Sequence, residues 1–181
     1  MTTDPFFDEF HRLQPDIPVV LLPPAAAAVP VAVPDIDPAT AAMRAAGARQ
    51  EAGRLLHAMW PVVAAGAEPP STVRHGWEPG VPGTIRARAA GRVVRPAGLG
   101  SALPAAGSTL VAQGWHVTER ALGATGRRLT AELDGQGIEL VEGGPERLLD
   151  ISCTVPAVVG DHVLAVRRTG AVDVVWGCEA P

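Results

Sequence analysis

Repeated strict alternation of apolar and polar residues, concentrated after Thr84, is the feature that most limits what this chain can become. A period of two suits a strand with one buried face and does not suit a helix. Ile85, Ala87 and Ala89 alternate with Arg86 and Arg88, which predicts a half-buried strand over Thr84 to Val94. Leu129, Ala131 and Leu133 alternate with Arg128, Thr130 and Glu132, and Leu149, Ile151, Cys153 and Val155 with Asp150, Ser152 and Thr154. Asp134-Gly135 supplies a hairpin signal before Ile138 to Val141. Trp115 and Val117 open another strand, and Val172, Val174 and Trp176 end the chain in the same pattern. Short strands joined by tight turns pair as an antiparallel meander, here in the C-terminal half.

Helical patterns supply the second layer. Asp37-Pro38 reads as a cap and first position, opening a helix to about Trp60 with Ala42, Ala46, Gly53, Leu56 and Trp60 on one stripe. Pro61 should stop or kink it. Ser101 to Gln113 forms another, with Leu103, Ala106 and Leu110 on one face and Gly114 as its stop. A short N-terminal helix starts at Asp4-Pro5, carries Phe6, Phe10 and Leu13 on one face with Phe7 beside them, and ends at Pro15. Ile17 to Leu22 is apolar enough for a buried strand, with Pro18 pointing to a sheet edge or a strand start, residues 23–36 read as a Pro/Ala-rich extended segment, and residues 66–83 as a long Pro/Gly loop. His162 to Arg168 fits a strand or a short helix alike. The expected fold is a single α+β domain over residues 1–181, an antiparallel β-sheet packed against two or three helices.

Composition removes several function classes. Lysine, asparagine and tyrosine are absent and all 15 basic residues are arginine, the signature of a GC-rich, bacterial coding sequence. Arginine abundance alone is therefore no argument for phosphate binding. A net charge of -4 opposes general attraction to nucleic acid or anionic lipid. The acids Asp4, Asp8 and Glu9 ahead of Arg12 do not fit a secretory signal, and five prolines between Ile17 and Pro34 would break a membrane-spanning helix. Cys153 and Cys178 are too few for a disulfide framework. A cytoplasmic protein with no membrane partner and no nucleic-acid partner is the expectation.

Site chemistry is sparse. His11, His57, His75, His116 and His162 show no zinc-ligand spacing, and Cys153, His162 and Cys178 form only a loose cluster. Ser71, Ser101, Ser108 and Ser152 lie in no GxSxG motif. Gly98-Leu99-Gly100-Ser101 lacks the lysine and extra glycines of a phosphate loop. No catalytic residue, metal or cofactor is assigned. The charge map carries more: five arginines and one acid lie from Arg74 to Arg95, six acids and one arginine from Glu132 to Asp150. Such blocks either pair across neighbouring strands or form separate patches. Trp77, between His75 and Glu78 in the 66–83 segment, and the Phe6/Phe10 face are the apolar candidates for an interface.

The leading expectation is a non-enzymatic protein-binding module, an adaptor, immunity-type inhibitor or accessory factor. Its partner would be another protein, bound through Arg74, His75, Trp77, Glu78, Arg86, Arg88, Phe6 and Phe10. The alternatives are an anion-binding domain using Arg74, Arg86 and Arg88, and an enzyme assembled from scattered residues such as His75, Glu78 and His116.

Overall fold

The computed structural model describes residues 9, 12–13, 32–64, 70, 72–95, 100–143, 148–168 and the backbone of 172–175. The chain falls into two compact units, Met1–Val31 and Ala32–Pro181. The second is an α+β structure: helix α1 (Pro38–Val63), strands β1 (Thr72–Pro79) and β2 (Thr84–Val94), helix α2 (Leu103–Ala112), strands β3 (His116–Leu122), β4 (Gly126–Leu133), β5 (Gln136–Gly143) and β6 (Leu148–Val158), a 3-10 turn at Gly160–His162, helix α3 (Val163–Arg167) and strand β7 (Val172–Val175). The seven strands form one sheet in the order β3-β4-β5-β6-β2-β1-β7. Every pairing is antiparallel. The meander β3 to β6 is the arrangement expected from the alternating segments, and the β1–β2 hairpin lies against its last strand.

The local chemistry explains these elements. Asp134 and Gly135 adopt φ of 49° and 80°, the left-handed pair that a two-residue hairpin between β4 and β5 requires. The Asp37 carboxylate accepts from the Thr40 amide at 3.0 Å, capping α1 as its sequence announces. Hydrogen bonding from the Thr40 side chain, and then from its amide, holds the carboxyl below its ordinary range.

Helix α1 lies across β2 and β6, and α2 across β3 and β4, all on one face of the sheet. That face is the core. Ala41, Ala45, Ala48 and Ala52 of α1 meet a sheet that presents Ala87 and Ala89, so helix and sheet pack at short distance. At Gly91 a Cβ would come within 3.2 Å of the Trp60 ring, and the glycine leaves that ring its place. Ile85, Leu129, Ile138, Leu140, Leu149, Ile151 and Cys153 complete the buried surface.

Three expectations are corrected and one open choice is decided. The buried stripe of α1 runs through Ala41, Ala45, Ala48, Ala52, Leu56, Met59, Trp60 and Val63, rotated one position from the one read through Ala42 and Ala46. In an alanine-rich helix neighbouring stripes are almost equally apolar, so the phase is set by the sheet. Of the stop or kink expected at Pro61, the stop does not occur: the helix continues to Val63 and closes with the Ala64 amide on the Trp60 carbonyl at 2.9 Å. Residues 66–83 are not one long loop, because Thr72–Pro79 is β1. The undecided His162 to Arg168 segment is the end of a 3-10 turn followed by α3. Of the 23–36 segment only residues 32–36 are described, and they carry no regular structure. The N-terminal phenylalanines, Cys178 and the 17–22 segment lie outside the described residues.

Candidate binding site on the open sheet face

Residues opposite one another in a sheet share a face, so the register fixes what the uncovered side displays. One row across four strands reads Arg74, Ala90, Ser152, Glu139, from β1 through β2 and β6 to β5. The next reads Gly76, Arg88, Thr154, Gly137, and the row on the other flank begins Arg92, Asp150, Val141. Small residues thus occupy the middle, Ala90 and Ser152, while long ones stand around them. The result is a cleft of about 620 Å³ lined by Arg74, Arg88, Arg92, Glu139, Asp150 and Ser152, with Pro70, Thr72, Ala90, Gly91, Val141 and Ile151 completing it.

The charged groups of this face are ordered by one another. Arg92 makes two bonds to Asp150, at 2.5 and 3.0 Å. Arg128 holds Glu139 at 2.6 Å. Arg88 reaches Glu78 by one longer contact of 3.3 Å. Arg86 lies over β6 and donates to the Thr154 hydroxyl at 2.9 Å. Gly137 makes room for it, since a Cβ there would sit 2.8 Å from the guanidinium nitrogen. This covering explains why Thr154, on a face that neither α1 nor α2 covers, is 8% exposed.

Arg74, Glu78, Arg86 and Arg88, singled out from the sequence, therefore share the open face. His75 and Trp77 do not join them. They sit on the opposite side of β1, registered against Ala89 and Ala87, toward α1. Arg49 of α1 lies over the Trp77 ring, 5.1 Å from its centre. Trp77 is half-buried against the core, so its place is at the helix–sheet junction and not on a loop. His116 falls at the edge strand β3, far along the sheet order from β1, and does not assemble with His75 and Glu78. Phe6 and Phe10 lie outside the described residues. The sequence reading missed Arg92, Ser152 and Asp150, whose importance depends on register.

The two charge blocks meet in part. Arg92 faces Asp150 directly, and Arg95 pairs with Glu142 at 2.7 Å in a largely buried cluster. There Glu142 also receives the Ser101 hydroxyl and the Ala102 amide, while Arg95 donates to the Gly100 carbonyl. The carboxylate thus sits at the N-terminus of α2, where the helix dipole favours it. Of the loose cysteine–histidine cluster, Cys153 is fully buried, and burial raises its thiol pKa. The His162 Nε2 lies 2.9 Å from the Ile36 carbonyl.

His75 is 3% exposed, beneath Gly53 of α1, whose Cβ, if present, would lie 3.3 Å from the imidazole. Its Nδ1 is buried without a hydrogen bond. Burial, then the charge of Arg49, push its pKa below 6.5. The unfolded chain takes up this proton below about pH 6.5 while the folded one resists, so stability is full above that pH and falls as the pH drops through it. Thermal melts from pH 7.5 to 5 should show a decline in Tm that becomes shallower in His75→Leu. An equal decline in both proteins would remove His75 from this account.

No family model matches this chain, and no curated protein or solved structure matches it. Among the described residues no helix is long and apolar enough to cross a membrane.

Proposed function

We propose that this protein is a non-enzymatic binding module that engages another protein through the open face of its sheet. The observation that carries the reading is the row Arg74–Ala90–Ser152–Glu139, a depression bounded by long charged residues on a face that neither α1 nor α2 covers. Arginine is enriched at protein interfaces, where its planar group pairs with carboxylates and backbone carbonyls. A cytoplasmic setting belongs to the same reading, resting on the presence of only two cysteines. A small anionic ligand is the second reading, favoured by a cleft volume inside the range of about 300–1,000 Å³ typical of ligand sites. The polar character of the lining argues for a protein surface first.

The test uses Ala90→Cys in a Cys178→Ser background, alkylated with a bulky maleimide. Affinity capture from the cell that makes the protein should yield a defined partner with the unlabelled protein, and the purified partner should no longer bind once the label fills the depression. The Tm should stay unchanged. Partner binding that is indifferent to the label would move the working surface elsewhere. A binder that proves to be a small anion would establish the second reading.

A further inference from the structure

We infer that the seam between α1 and β1 is an acid-sensitive latch: protonation of His75 frees β1, and β7 at the sheet edge with it, while the rest of the sheet stays folded under its helices. The inference is independent of what the open face binds. Within one helical turn, α1 sets Arg49 over the Trp77 ring and the bare backbone of Gly53 over the His75 imidazole. Gly53 lies so near that a Cβ there would stand 3.3 Å from Cε1 and 3.9 Å from Nε2, and Nδ1 is buried with no hydrogen-bond partner among the described residues. This space suits a neutral ring, which carries one N–H. The imidazolium carries two donors and a charge, and a buried site without acceptors opposes both. From α1 the charge acting on the ring is Arg49, a second cation, and no acid offsets it among the described residues. Glu51 and Arg54 of the same stretch pair with each other, and His57, one turn past Gly53, is exposed. The register positions beside His75 are Ala89 on β2 and Val172 on β7, and Val73 and Trp77 flank it on β1.

A protonated His75 therefore needs water, and water reaches it only if α1 and β1 part. Helix α1 is fixed to β2 and β6 by its alanine stripe and by Leu56, Met59 and Trp60, so β1 is the element that moves. Toward α1 those two strands present Ile85, Ala87, Ala89, Ile151, Cys153 and Val155, none of which takes up a proton in mild acid. Among the described residues β7 pairs with β1 and with no other strand. The two make one contiguous unit at the sheet edge, the kind of unit that opens locally while the remainder holds. Arg74 and Glu78 stand on the other side of the same strand, so the open face keeps its β1 border only while the latch is closed.

Amide hydrogen exchange of the full-length protein at pH 7.5 and 5.5, corrected for the intrinsic rate, reads the latch. Peptides covering β1 and β7 should lose protection severalfold in acid, up to about tenfold, because the opened imidazole titrates near its ordinary value of about 6.5 and the lower pH lies one unit beneath it. Peptides covering β4 and β5 should keep theirs. In His75→Leu, β1 and β7 should stay equally protected at both pH values. Arg49→Gln keeps the imidazole and removes the like charge, so it should reduce the response without abolishing it, burial being the larger opposition to the proton. A loss of protection spread evenly over β1 and the β4–β5 hairpin, or a β1 response that persists in His75→Leu, overturns the inference. Should His75→Leu fail to fold, a response in Arg49→Gln equal to that of the unaltered protein overturns it, and a smaller one supports it.

Discussion

Glu142→Ala should destabilise the fold by about 3–5 kcal/mol, because it leaves a buried guanidinium without its counter-charge. The Arg95 side chain is 7% exposed and that of Glu142 15%. Glu142 gathers three donors, from Arg95, Ser101 and the Ala102 amide, and so ties the chain after β2 and the start of α2 to β5. Removing it frees all three at once. Urea unfolding followed by circular dichroism measures the loss. Pairing the change with Arg95→Met should recover a large part of it, since two apolar residues leave no unpaired charge behind. A loss below about 1 kcal/mol would mean that water reaches the pair and that it behaves as a surface ion pair.

Trp60→Ala should cost about 3–5 kcal/mol, the usual range for truncating a buried tryptophan. Much of the contact that α1 makes with the sheet is alanine, which contributes little area per residue. Leu56, Met59, Trp60 and Val63 therefore carry most of the apolar surface that holds the last turns of α1 down. Trp60 is 4% exposed and packs on Gly91, where no side chain can move in to fill the space it leaves. The same urea titration reads the effect. Trp77→Ala should cost less, because that ring is only half-buried. Equal losses at the two positions would contradict the different depths assigned to them.

The sheet was legible because its strands carry strict alternation and its β4–β5 hairpin carries Asp-Gly, signals that depend only on neighbours in sequence. Strand β1 was hidden although Val73, His75 and Trp77 alternate with Arg74, Gly76 and Glu78. Prolines and glycines crowd both its ends, and a histidine on the buried side disguises the apolar face. The phase of α1 is hidden for the opposite reason, since alanine on every side lets packing decide. Parity alone places Arg86 and Arg88 on the side opposite Ile85, Ala87 and Ala89. The cleft was beyond that reasoning. It exists because Ala90 lies opposite Ser152 while Arg74 and Glu139 lie beyond them, and only the register of four strands shows it.

One face of the sheet is packed against α1 and α2, and neither helix covers the other, where the proposed binding surface lies. Thiol reactivity tests it most directly, in a Cys178→Ser background under native conditions. Cys153, on the helix side and 0% exposed, should stay unreactive toward a small disulfide reagent until the protein unfolds. The thiol introduced by Ala90→Cys, one position from the buried Ala89 and facing the cleft, should react rapidly in the folded state. Protection of that introduced thiol in the isolated protein, or fast reaction of Cys153, would contradict the account.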